Sequence, residues 1–398
     1  MGGNRMPLYF DHAATTPLHP KALESMMPFL TDNYANPSSA YTPAREARKA
    51  IDHARQTVAN AIGANPEEIF FTSSGTEADN WAIKGALEAS KGKHIITSTA
   101  EHHAVYYTCR HLEKLGVEVT YVPVDKEGFI SPIDVKAAIR PDTALISIIM
   151  ANNEVGTIQP IASIGDLGVP LHTDAVQAVG HIPVDVNNLK VDSLSLSAHK
   201  FYGPKGIGAL YIRKGTPIAS MLQGGAQERG RRSGTENVAG IVGLAAALEA
   251  SIGTIPHEQV RLTKLRDKLI NEILSNIPHA ALNGPKDNRL PGNVNVSFRF
   301  IEGESLLLHL DMQGCHASTG SACSSGALEP SHVLTAMGIS HELTNGAIRF
   351  SLGKDTIEED ISKLMTILTK SVTRLRELSP LYDDYIKKEG VSWNTLKK

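Results

Sequence analysis

The chain has 398 residues, of which 39 are Lys or Arg and 42 are Asp or Glu, so its formal net charge is −3. At about 150 residues per domain, this length predicts two or three domains with a large buried core. With this net charge the chain has no excess of positive charge to attract a nucleic acid, so we expect no nucleic-acid partner. Apolar residues make up 41% and aromatic residues 5%, which is typical of a globular protein and excludes a disordered one.

The three cysteines, Cys109, Cys315 and Cys323, are too few for a disulfide framework, and none belongs to a CxxC pair that would indicate a zinc or thioredoxin-type site. Their scarcity favours a reducing compartment. Met1–Pro7 lacks the apolar core of a signal peptide, and the apolar stretch Ile241–Ala250 is too short to cross a membrane. We therefore expect a cytoplasmic protein with no membrane partner.

From about Pro66 to Arg213, short runs of residues that favour β-strands alternate with helical patterns. The predicted strands are Ile69–Phe71, His94–Ser98, Glu118–Pro123, Ala144–Ile149, Leu171–Thr173, Ser193–Ser197 and Ala209–Ile212, and the predicted helices among them are Thr76–Ala89, Ala104–Leu115 and Ile133–Ile139. This alternation predicts an α/β fold with a mostly parallel sheet and helices on both faces. Ligands of such sheets bind outside the carboxyl ends of the strands, so side chains that follow these strands are candidates for a site.

The last part of the chain has a different pattern. It predicts the helices Asn237–Ala250, Gln259–Asn276, Glu304–Met312 and Ile357–Leu378, the strands Asn293–Phe298 and Ile348–Leu352, and a loop over Gly314–Leu328. These elements indicate a smaller α+β domain. We assign residues 16–251 to a large α/β domain, and residues 1–15 with 252–398 to the small domain.

The segment Phe71–Ala78 leads from a strand through a turn of small residues into a helix. The free amides at the start of that helix, its dipole and the Thr76 hydroxyl suit an anion such as a phosphate. The alternative is a plain helix start with Thr76 as its cap and Asp79 three residues on. Taken alone, the pattern favours the cap.

Asp174 ends the segment Leu171–Asp174 and is predicted to face the ligand crevice of the sheet. A buried carboxylate needs a cationic partner, and a protonated pyridine nitrogen is one. A helix cap explains the residue equally well when it is taken alone.

Lys200 ends the segment Ser195–Lys200 and is followed by the glycine-rich turn Gly203–Gly208. A lysine directly after a buried strand is away from its usual surface setting, and desolvation lowers the pKa of a lysine enough to make it a Schiff-base nucleophile. The glycines by themselves indicate a loop. Lys205 is a rival nucleophile, which we consider less suitable because it lies in the middle of the turn.

His102 and His103 follow the predicted strand His94–Ser98. An imidazole at that position could stack on a planar ring or move protons. The side chains of adjacent residues diverge, which argues against a metal pair. In isolation, a pair of surface histidines is the favoured interpretation.

Cys323 lies in Ser318–Gly326, a run of small residues. Such a loop makes a thiol accessible and able to act as a thiolate, although an unreactive surface thiol is the alternative. Cys109 falls on a predicted helix and Cys315 follows one, so we expect both to be buried apolar residues.

Together these motifs predict one site. A helix start for a phosphate, an imidazole for stacking, an acid for a ring nitrogen and a lysine for a Schiff base occur in the order Thr76, His102, Asp174, Lys200. These are the parts of a pyridoxal phosphate site. Each signal is weak alone, and their conjunction predicts this cofactor.

The sequence resembles the group I cysteine desulfurases of the NifS/IscS type, which are class-V aminotransferase relatives among the fold-type I pyridoxal phosphate enzymes. The similarity runs from Tyr9–Thr16 to Leu375–Leu381. Its most specific segments are Thr72–Asn80, Asn152–Gly156, Ser197–Gly208, Arg229–Thr235, Ser318–Pro330 and Ile348–Ser351. The resemblance implies a large domain with a mostly parallel sheet of about seven strands and a smaller α+β domain.

The resemblance also implies how each position meets the cofactor. Lys200 would hold pyridoxal phosphate as a Schiff base, while His102 stacks on its ring and Asp174 pairs with the ring nitrogen. The remaining cofactor-binding positions are Gln177 at the ring oxygen, Gly75, Thr76, Ser197 and His199 at the phosphate, Asn153, and Thr235, which would reach the phosphate of the other subunit. The last of these implies a homodimer.

The same resemblance implies a sulfurtransferase reaction on L-cysteine. Asn36, Asn153 and Arg349 would bind the substrate, with Arg349 and Asn153 clamping its carboxylate. After loss of the α-proton, the Cys323 thiolate would attack the substrate sulfur, leaving L-alanine and a persulfide on Cys323. An iron–sulfur scaffold protein or another thiolation partner would accept the persulfide, and Cys323 could serve as a transient iron–sulfur ligand without a permanent metal site.

One segment departs from the family pattern. Ile161–Val169 is several residues shorter than the usual connection before the Asp174 strand. Crossovers tolerate shortening at their outer end, so we expect a clipped helix and an intact site. A shifted strand register would move Asp174 away from the ring nitrogen.

Three alternatives remain. A selenocysteine lyase or a desulfurase of the other group would carry its cysteine on a shorter segment than the one around Cys323. A catalytically inactive scaffold would not need Lys200 and Cys323. A metal hydrolase built on the 16 histidines would need an HExxH or HxH spacing, which is missing.

Overall fold

The structure is a computed structural model that describes residues 8–319 and 330–389. The strands are β1 (Leu8–Tyr9), β2 (Ile69–Thr72), β3 (His94–Ser98), β4 (Glu118–Val122), β5 (Thr143–Ile149), β6 (Leu171–Asp174), β7 (Ser193–Ser197), β8 (Gly208–Ile212), β9 (Ala280–Leu282), β10 (Asn293–Phe298), β11 (Cys315–His316) and β12 (Ala347–Ser351). The helices are α1 (Pro20–Leu30), α2 (Thr42–Ile62), α3 (Gly75–Ala89), α4 (His103–Glu113), α5 (Pro132–Ala137), α6 (Val186–Leu189), α7 (Val238–Ile252), α8 (Ile255–Asn276), α9 (Gly303–Met312), α10 (His332–Ala336), α11 (His341–Asn345), α12 (Glu358–Glu377) and α13 (Pro380–Glu389).

The chain divides into two compact units. The larger unit consists of Ala13–Asn153 and Thr157–Gln259. The smaller unit consists of the described residues up to His12, the turn Glu154–Gly156, and the described residues from Val260 onward. The domain limits predicted at residues 15 and 251 stay predictions.

The larger unit is built on a seven-stranded sheet with the order β2-β8-β7-β6-β5-β3-β4. Strand β8 is antiparallel to its neighbours β2 and β7, and the other neighbouring strands are parallel. The predicted mostly parallel α/β sheet is therefore confirmed. Strands β3 and β7 are buried along their whole length, as expected where helices cover both faces of a sheet.

The register of the central strands aligns their carboxyl ends. Asp174, the last residue of β6, is paired with Ile149 on β5 and with Ser195 on β7. The short connection before β6 forms a single 3₁₀ turn, Ile161–Ser163. The described connection thus keeps only this 3₁₀ turn where a clipped helix was expected, and the shortening leaves Asp174 at the end of its strand.

The smaller unit contains a three-stranded antiparallel sheet with the order β12-β10-β9 and a two-stranded parallel sheet of β1 and β11. Its core includes Phe10, Phe298 and Phe350 together with apolar residues of α8, α9 and α12. Strands of two or three residues are too short to show a hydrophobic period, which explains why β1, β9 and β11 were not predicted.

The apolar run Ile241–Ala250 forms most of α7, which packs against α1 and α2 within the larger unit. In the part of the chain that the structure describes, no single helix has the length and hydropathy that a membrane span requires. Helices α7 and α8 meet that requirement only as a pair, with a bend of 70° between them.

Candidate active site

Helix α3 begins directly after the turn that follows β2. Its N-cap is Ser74, whose Oγ accepts a hydrogen bond of 3.1 Å from the Glu77 amide. The predicted cap at Thr76 with Asp79 as its partner is therefore wrong, because Ser74 takes the capping position two residues earlier. Thr76 lies exposed in the first turn, and Asp79 is 1% exposed on the inner side of the helix. The correction leaves the Thr76 hydroxyl available for an anion at the helix start.

Gly75 brings the start of α3 against the ends of β6 and β7. A Cβ atom at Gly75 would lie 2.6 Å from Val176 Cγ2 and 3.3 Å from Ser197 Cβ. A larger residue would push the helix away from these strand ends. Gly75 and Ser197, both predicted to bind a phosphate, are therefore adjacent in the larger unit.

Asp174 is 3% exposed, and its Oδ1 accepts a 2.9 Å hydrogen bond from the Val176 amide. Burial raises the pKa of Asp174 to about 6, and the positive charge of Lys200 lowers it by a smaller amount. At neutral pH the carboxyl is thus mostly ionised, and a positively charged partner would stabilise it. Gln177, predicted beside it, donates to the Ala13 carbonyl at 2.9 Å.

Lys200 ends the 3₁₀ turn Ala198–Lys200 that follows β7. Its Nζ donates to the carbonyl oxygens of Ala13 and Ala14 at 2.7 and 2.8 Å. These two bonds hold the amine at the carboxyl end of the sheet. Lys205, the rival lysine, is exposed in the turn beyond, which supports the choice of Lys200.

His199 lies beside Lys200, and its Nδ1 is 3.1 Å from Thr15 Oγ1. Burial and the charges of Lys200 and Lys205 lower the pKa of His199 to about 4. The ring is therefore neutral at physiological pH. It can donate a hydrogen bond to a phosphate without adding a buried charge.

His102 caps α4, and its Nδ1 accepts a 3.2 Å hydrogen bond from the Ala104 amide. One of its ring nitrogens and one carboxylate oxygen each of Asp79 and Asp174 all lie within 4.8 Å of one another. His103 turns away and stacks on Tyr107 at 4.9 Å between ring centroids. The structure thus brings His102 to Asp174, as predicted, while the His103 ring lies 6.2 Å from that of His102 between centroids.

Arg349, the predicted carboxylate ligand, lies on β12 in the smaller unit and is 3% exposed. Its Nη2 is 3.0 Å from Asp11 Oδ1. Its backbone exchanges hydrogen bonds with Ser318, at 2.7 and 3.2 Å. Arg349 therefore holds Ser318, the first residue of the run Ser318–Gly326 in which Cys323 lies.

Three other predicted residues belong to the larger unit. Asn153 lies in the turn after β5 and is partly buried. Asn36 is exposed after α1, where its Oδ1 accepts a 2.9 Å hydrogen bond from the Ser38 amide. Thr235 is exposed before α7. The joint binding of a substrate by Asn36, Asn153 and Arg349, and the contact of Thr235 with a second subunit, stay predictions.

Of the three cysteines, Cys323 lies outside the described residues, so its predicted role is not tested. Cys109 on α4 is fully buried, and Cys315 on β11 is 1% exposed. Burial raises the pKa of each of these two thiols to about 12. Their predicted roles as packing residues are confirmed, and both are poor nucleophiles at neutral pH.

Comparison with known proteins places this geometry in a family. The family profile for aminotransferase class-V matches residues 8–364. The chain belongs to the class-V aminotransferase family. Among the curated relatives, "Cysteine desulfurase IscS" of Dictyoglomus turgidum is 55% identical over 384 residues, which cover 95% of this chain and 98% of the relative. The "Cysteine desulfurase IscS" of Acinetobacter baumannii is 48% identical over 407 residues, covering 99% of each chain.

Solved structures of the family have the same fold. A "NifS-like protein" is 40% identical with a TM-score of 0.88 and covers 93% of this chain and 100% of its own. A structure titled "SspA in complex with cysteine" is also 40% identical, with a TM-score of 0.77, and covers 88% of this chain and 100% of its own. The predicted resemblance and fold are confirmed: this class-V aminotransferase is a member of the cysteine desulfurases.

Sequence reasoning missed three buried groups beside Asp174 in this class-V aminotransferase: Asp79, Glu101 and His172, which are at most 1% exposed. Glu101 Oε1 accepts hydrogen bonds from Ser98 Oγ at 2.5 Å and from the Ile149 amide at 3.1 Å. Burial raises the pKa of Glu101 to about 8. Glu101 follows β3 next to His102, and His172 lies within β6. Neither was predicted as a site residue, and Asp79 was considered only as a capping partner.

Proposed function

We propose that this protein is a pyridoxal phosphate-dependent cysteine desulfurase. It removes sulfur from L-cysteine to give L-alanine and a persulfide on Cys323. The observation that carries the proposal is the convergence of Lys200, His102 and the ionised Asp174 at the carboxyl ends of the strands. They converge in a chain that is 55% identical to a named cysteine desulfurase.

The residues of the larger unit fit pyridoxal phosphate at both of its charged ends. The start of α3 beside Ser197 and the neutral His199 provides donors for the phosphate. The buried, ionised Asp174 provides an anion for the ring nitrogen. When bound, the cofactor supplies the electron sink that stabilises negative charge at the α-carbon of the substrate.

Lys200 and His102 divide the work around the cofactor. The Lys200 amine, positioned by the Ala13 and Ala14 carbonyls, is the group that attaches the cofactor to the chain. His102 Nδ1 already accepts the Ala104 amide, so in the neutral ring the proton resides on Nε2. The Nε2 atom is therefore where His102 holds or moves a proton during the reaction.

Arg349 binds the carboxylate of the substrate, together with Asn153 and Asn36. A guanidinium can make two parallel hydrogen bonds to a carboxylate, and the 3.0 Å contact with Asp11 orients the Arg349 group. The substrate is thus held by its carboxylate while its amino group reaches the cofactor.

Cys323 performs the sulfur transfer. Its thiolate attacks the sulfur of the bound substrate, an S–S bond forms, and the C–S bond breaks with its electron pair left on carbon. A thiolate of the acceptor then takes the outer sulfur of the persulfide. We propose an iron–sulfur scaffold protein or another thiolation partner as the acceptor, and the cytoplasm as the compartment.

The active protein is a homodimer in which Thr235 reaches the phosphate site of the second copy. Helix α1 supports this proposal because Leu23, Met27 and Leu30, spaced along one face, are 49%, 45% and 59% exposed. A second copy of this chain would cover that face. Sedimentation should give a dimer, and Met27→Glu with Leu30→Glu should shift it toward monomer.

The test of the function is the stoichiometry of the reaction. Purified protein incubated with L-cysteine and a reductant should form sulfide and alanine in equal amounts. Cys323→Ser should keep the visible absorbance of the bound cofactor and lose sulfide release, while the matched control Cys109→Ser should retain it. Sulfide release that survives in Cys323→Ser would exclude the proposed role of this thiol.

A further inference from the structure

A row of polar side chains lies beneath Asp174, between the sheet and α3. Ser147 Oγ on β5 is 2.9 Å from His172 Nδ1 on β6, and His172 Nε2 is 2.9 Å from Ser195 Oγ on β7. Helix α3 packs across these three strands and places Asp79 at the end of the row. There Asp79 Oδ1 is 3.6 Å from His172 Nε2.

The contact between Asp79 and His172 is not an ion pair. Burial lowers the pKa of His172 to about 3, so its ring is neutral at physiological pH. A neutral His172 can accept a hydrogen bond from the Ser147 hydroxyl at Nδ1 and donate a hydrogen bond from Nε2–H to Ser195 Oγ. This orientation leaves the Ser195 hydroxyl proton to point toward Asp79, whose pKa Ser195 lowers.

Asp79 has strong physical reasons to keep its own proton. It is 1% exposed, and one of its oxygens lies within 4.8 Å of a carboxylate oxygen of Asp174. Burial and the negative charges of Asp174 and Glu101 raise the pKa of Asp79 well above its usual range, and the Ser195 hydrogen bond lowers it by less. Two buried carboxyls this close do not both ionise.

The two acids differ in their hydrogen bonds. Asp174 Oδ1 accepts the Val176 amide, which favours its ionised form. Asp79 Oδ1 accepts no hydrogen bond from any described residue, although it is buried. That oxygen is the place for an acidic proton, because a protonated carboxyl is itself a donor and no described group lies within hydrogen-bond distance to donate to it.

We propose that Asp79 is a positioning residue of the ring-nitrogen site: it stays protonated beneath Asp174 and directs its proton toward Asp174, so that a single negative charge faces the cofactor. The row Ser147–His172–Ser195 sets this direction because each of its groups donates toward Asp79. The proposal rests on the proposed function in that Asp174 pairs with the ring nitrogen of pyridoxal phosphate. The charged or titratable groups that face the two acids are Glu101, His102, His172 and Lys200.

The experiment compares substitutions on the two acids in the full-length protein. Infrared difference spectra at neutral pH, wild type minus Asp79→Asn, should show the C=O band of one protonated carboxyl. The dissociation constant of pyridoxal phosphate should stay within about threefold in Asp79→Asn, since the amide also donates a hydrogen bond, and rise about 10-fold in Asp79→Leu, since a buried hydrogen bond to a charged group is lost. In Asp174→Asn it should rise about 100-fold or more, since the cation of the ring loses its buried partner.

The outcomes separate this proposal from the proposed function. The proposal is overturned if Asp79→Asn removes no protonated-carboxyl band, or if it weakens pyridoxal phosphate as much as Asp174→Asn does, because Asp79 would then carry the charge. If Asp79→Leu does not fold, two measurements still test the proposal. These are the infrared difference spectrum and the dissociation constants of pyridoxal phosphate in Asp79→Asn and Asp174→Asn. If the wild type binds no pyridoxal phosphate, the proposed function fails, and the infrared difference still shows whether Asp79 holds a proton.

Discussion

The larger and smaller units hold their functional side chains by different physical means. In the larger unit, Asp174 and Lys200 follow buried parallel strands, and burial sets the protonation state of Asp174. In the smaller unit, Arg349 is fixed by an ion pair with Asp11 and by backbone pairing with Ser318. The larger unit therefore sets the protonation state of Asp174, whereas the smaller unit sets the orientation of the Arg349 guanidinium.

The largest expected effect is the loss of the lysine in the larger unit. Lys200→Ala should lower sulfide release by at least about 1,000-fold and abolish the absorbance of the attached cofactor, because it removes the amine that the Ala13 and Ala14 carbonyls position. Lys205→Ala, at the exposed rival position, should stay within about twofold of wild type. Equal losses in both variants would contradict the assignment.

The next effect concerns the smaller unit. Arg349→Lys should raise KM for L-cysteine about 10- to 100-fold, since the ammonium cannot reproduce two parallel hydrogen bonds to a carboxylate. The cofactor absorbance should not change. Arg374→Lys, at an exposed pair with Glu377, should leave KM as in wild type. A loss of bound cofactor in Arg349→Lys would contradict the assignment of Arg349 to substrate binding alone.

A third effect, on stability rather than on catalysis, tests how burial controls protonation in the larger unit. The pKa of Glu101 is raised from 4.5 to about 8 in the folded state, so its contribution to stability is fully present below pH 4.5 and is lost as the pH rises toward 8. Glu101→Gln cannot ionise, so its melting temperature relative to wild type should rise between pH 5 and pH 8. The free-energy change is at most about 5 kcal/mol, at about 1.36 kcal/mol per pKa unit.

Calorimetry from pH 5 to pH 8 measures this shift. The matched control is Glu342→Gln in the smaller unit, where the carboxylate is exposed beside Arg299. Its melting temperature relative to wild type should not depend on pH in this range. A flat difference for Glu101→Gln would show that Glu101 is ionised in the folded protein.

The smallest expected effect is on the orientation of Arg349. Asp11→Asn removes the charge that faces the guanidinium, so KM for L-cysteine should change by about two- to fivefold. The infrared and spectroscopic properties of the larger unit should not change. A loss as large as that of Arg349→Lys would mean that Asp11 does more than orient this side chain.

In the larger unit, short sequence patterns were enough to predict most strands and the site residues that lie at or after their ends. Strands β3 and β7 were predicted with the bounds that they have. His102, Asp174 and Lys200 follow such strands, and the order of the strands brings them to one edge. The cap of α3 was misplaced because Ser74 and Thr76 have similar local propensities, and only the position of the strand end decides between them.

The sequence by itself determined the α/β fold and, to within one residue, the carboxyl ends of the strands of the large sheet, since residue preferences and motif spacing are properties of neighbours along the chain. Only the tertiary structure decided which acids lie close together. Asp79, Glu101 and Asp174 are 22 or more residues apart in the sequence, and their protonation depends on distance and burial in space. Likewise, the raised pKa values of the Cys109 and Cys315 thiols could be inferred only once their burial was known, because the solvation of a side chain depends on the folded structure around it.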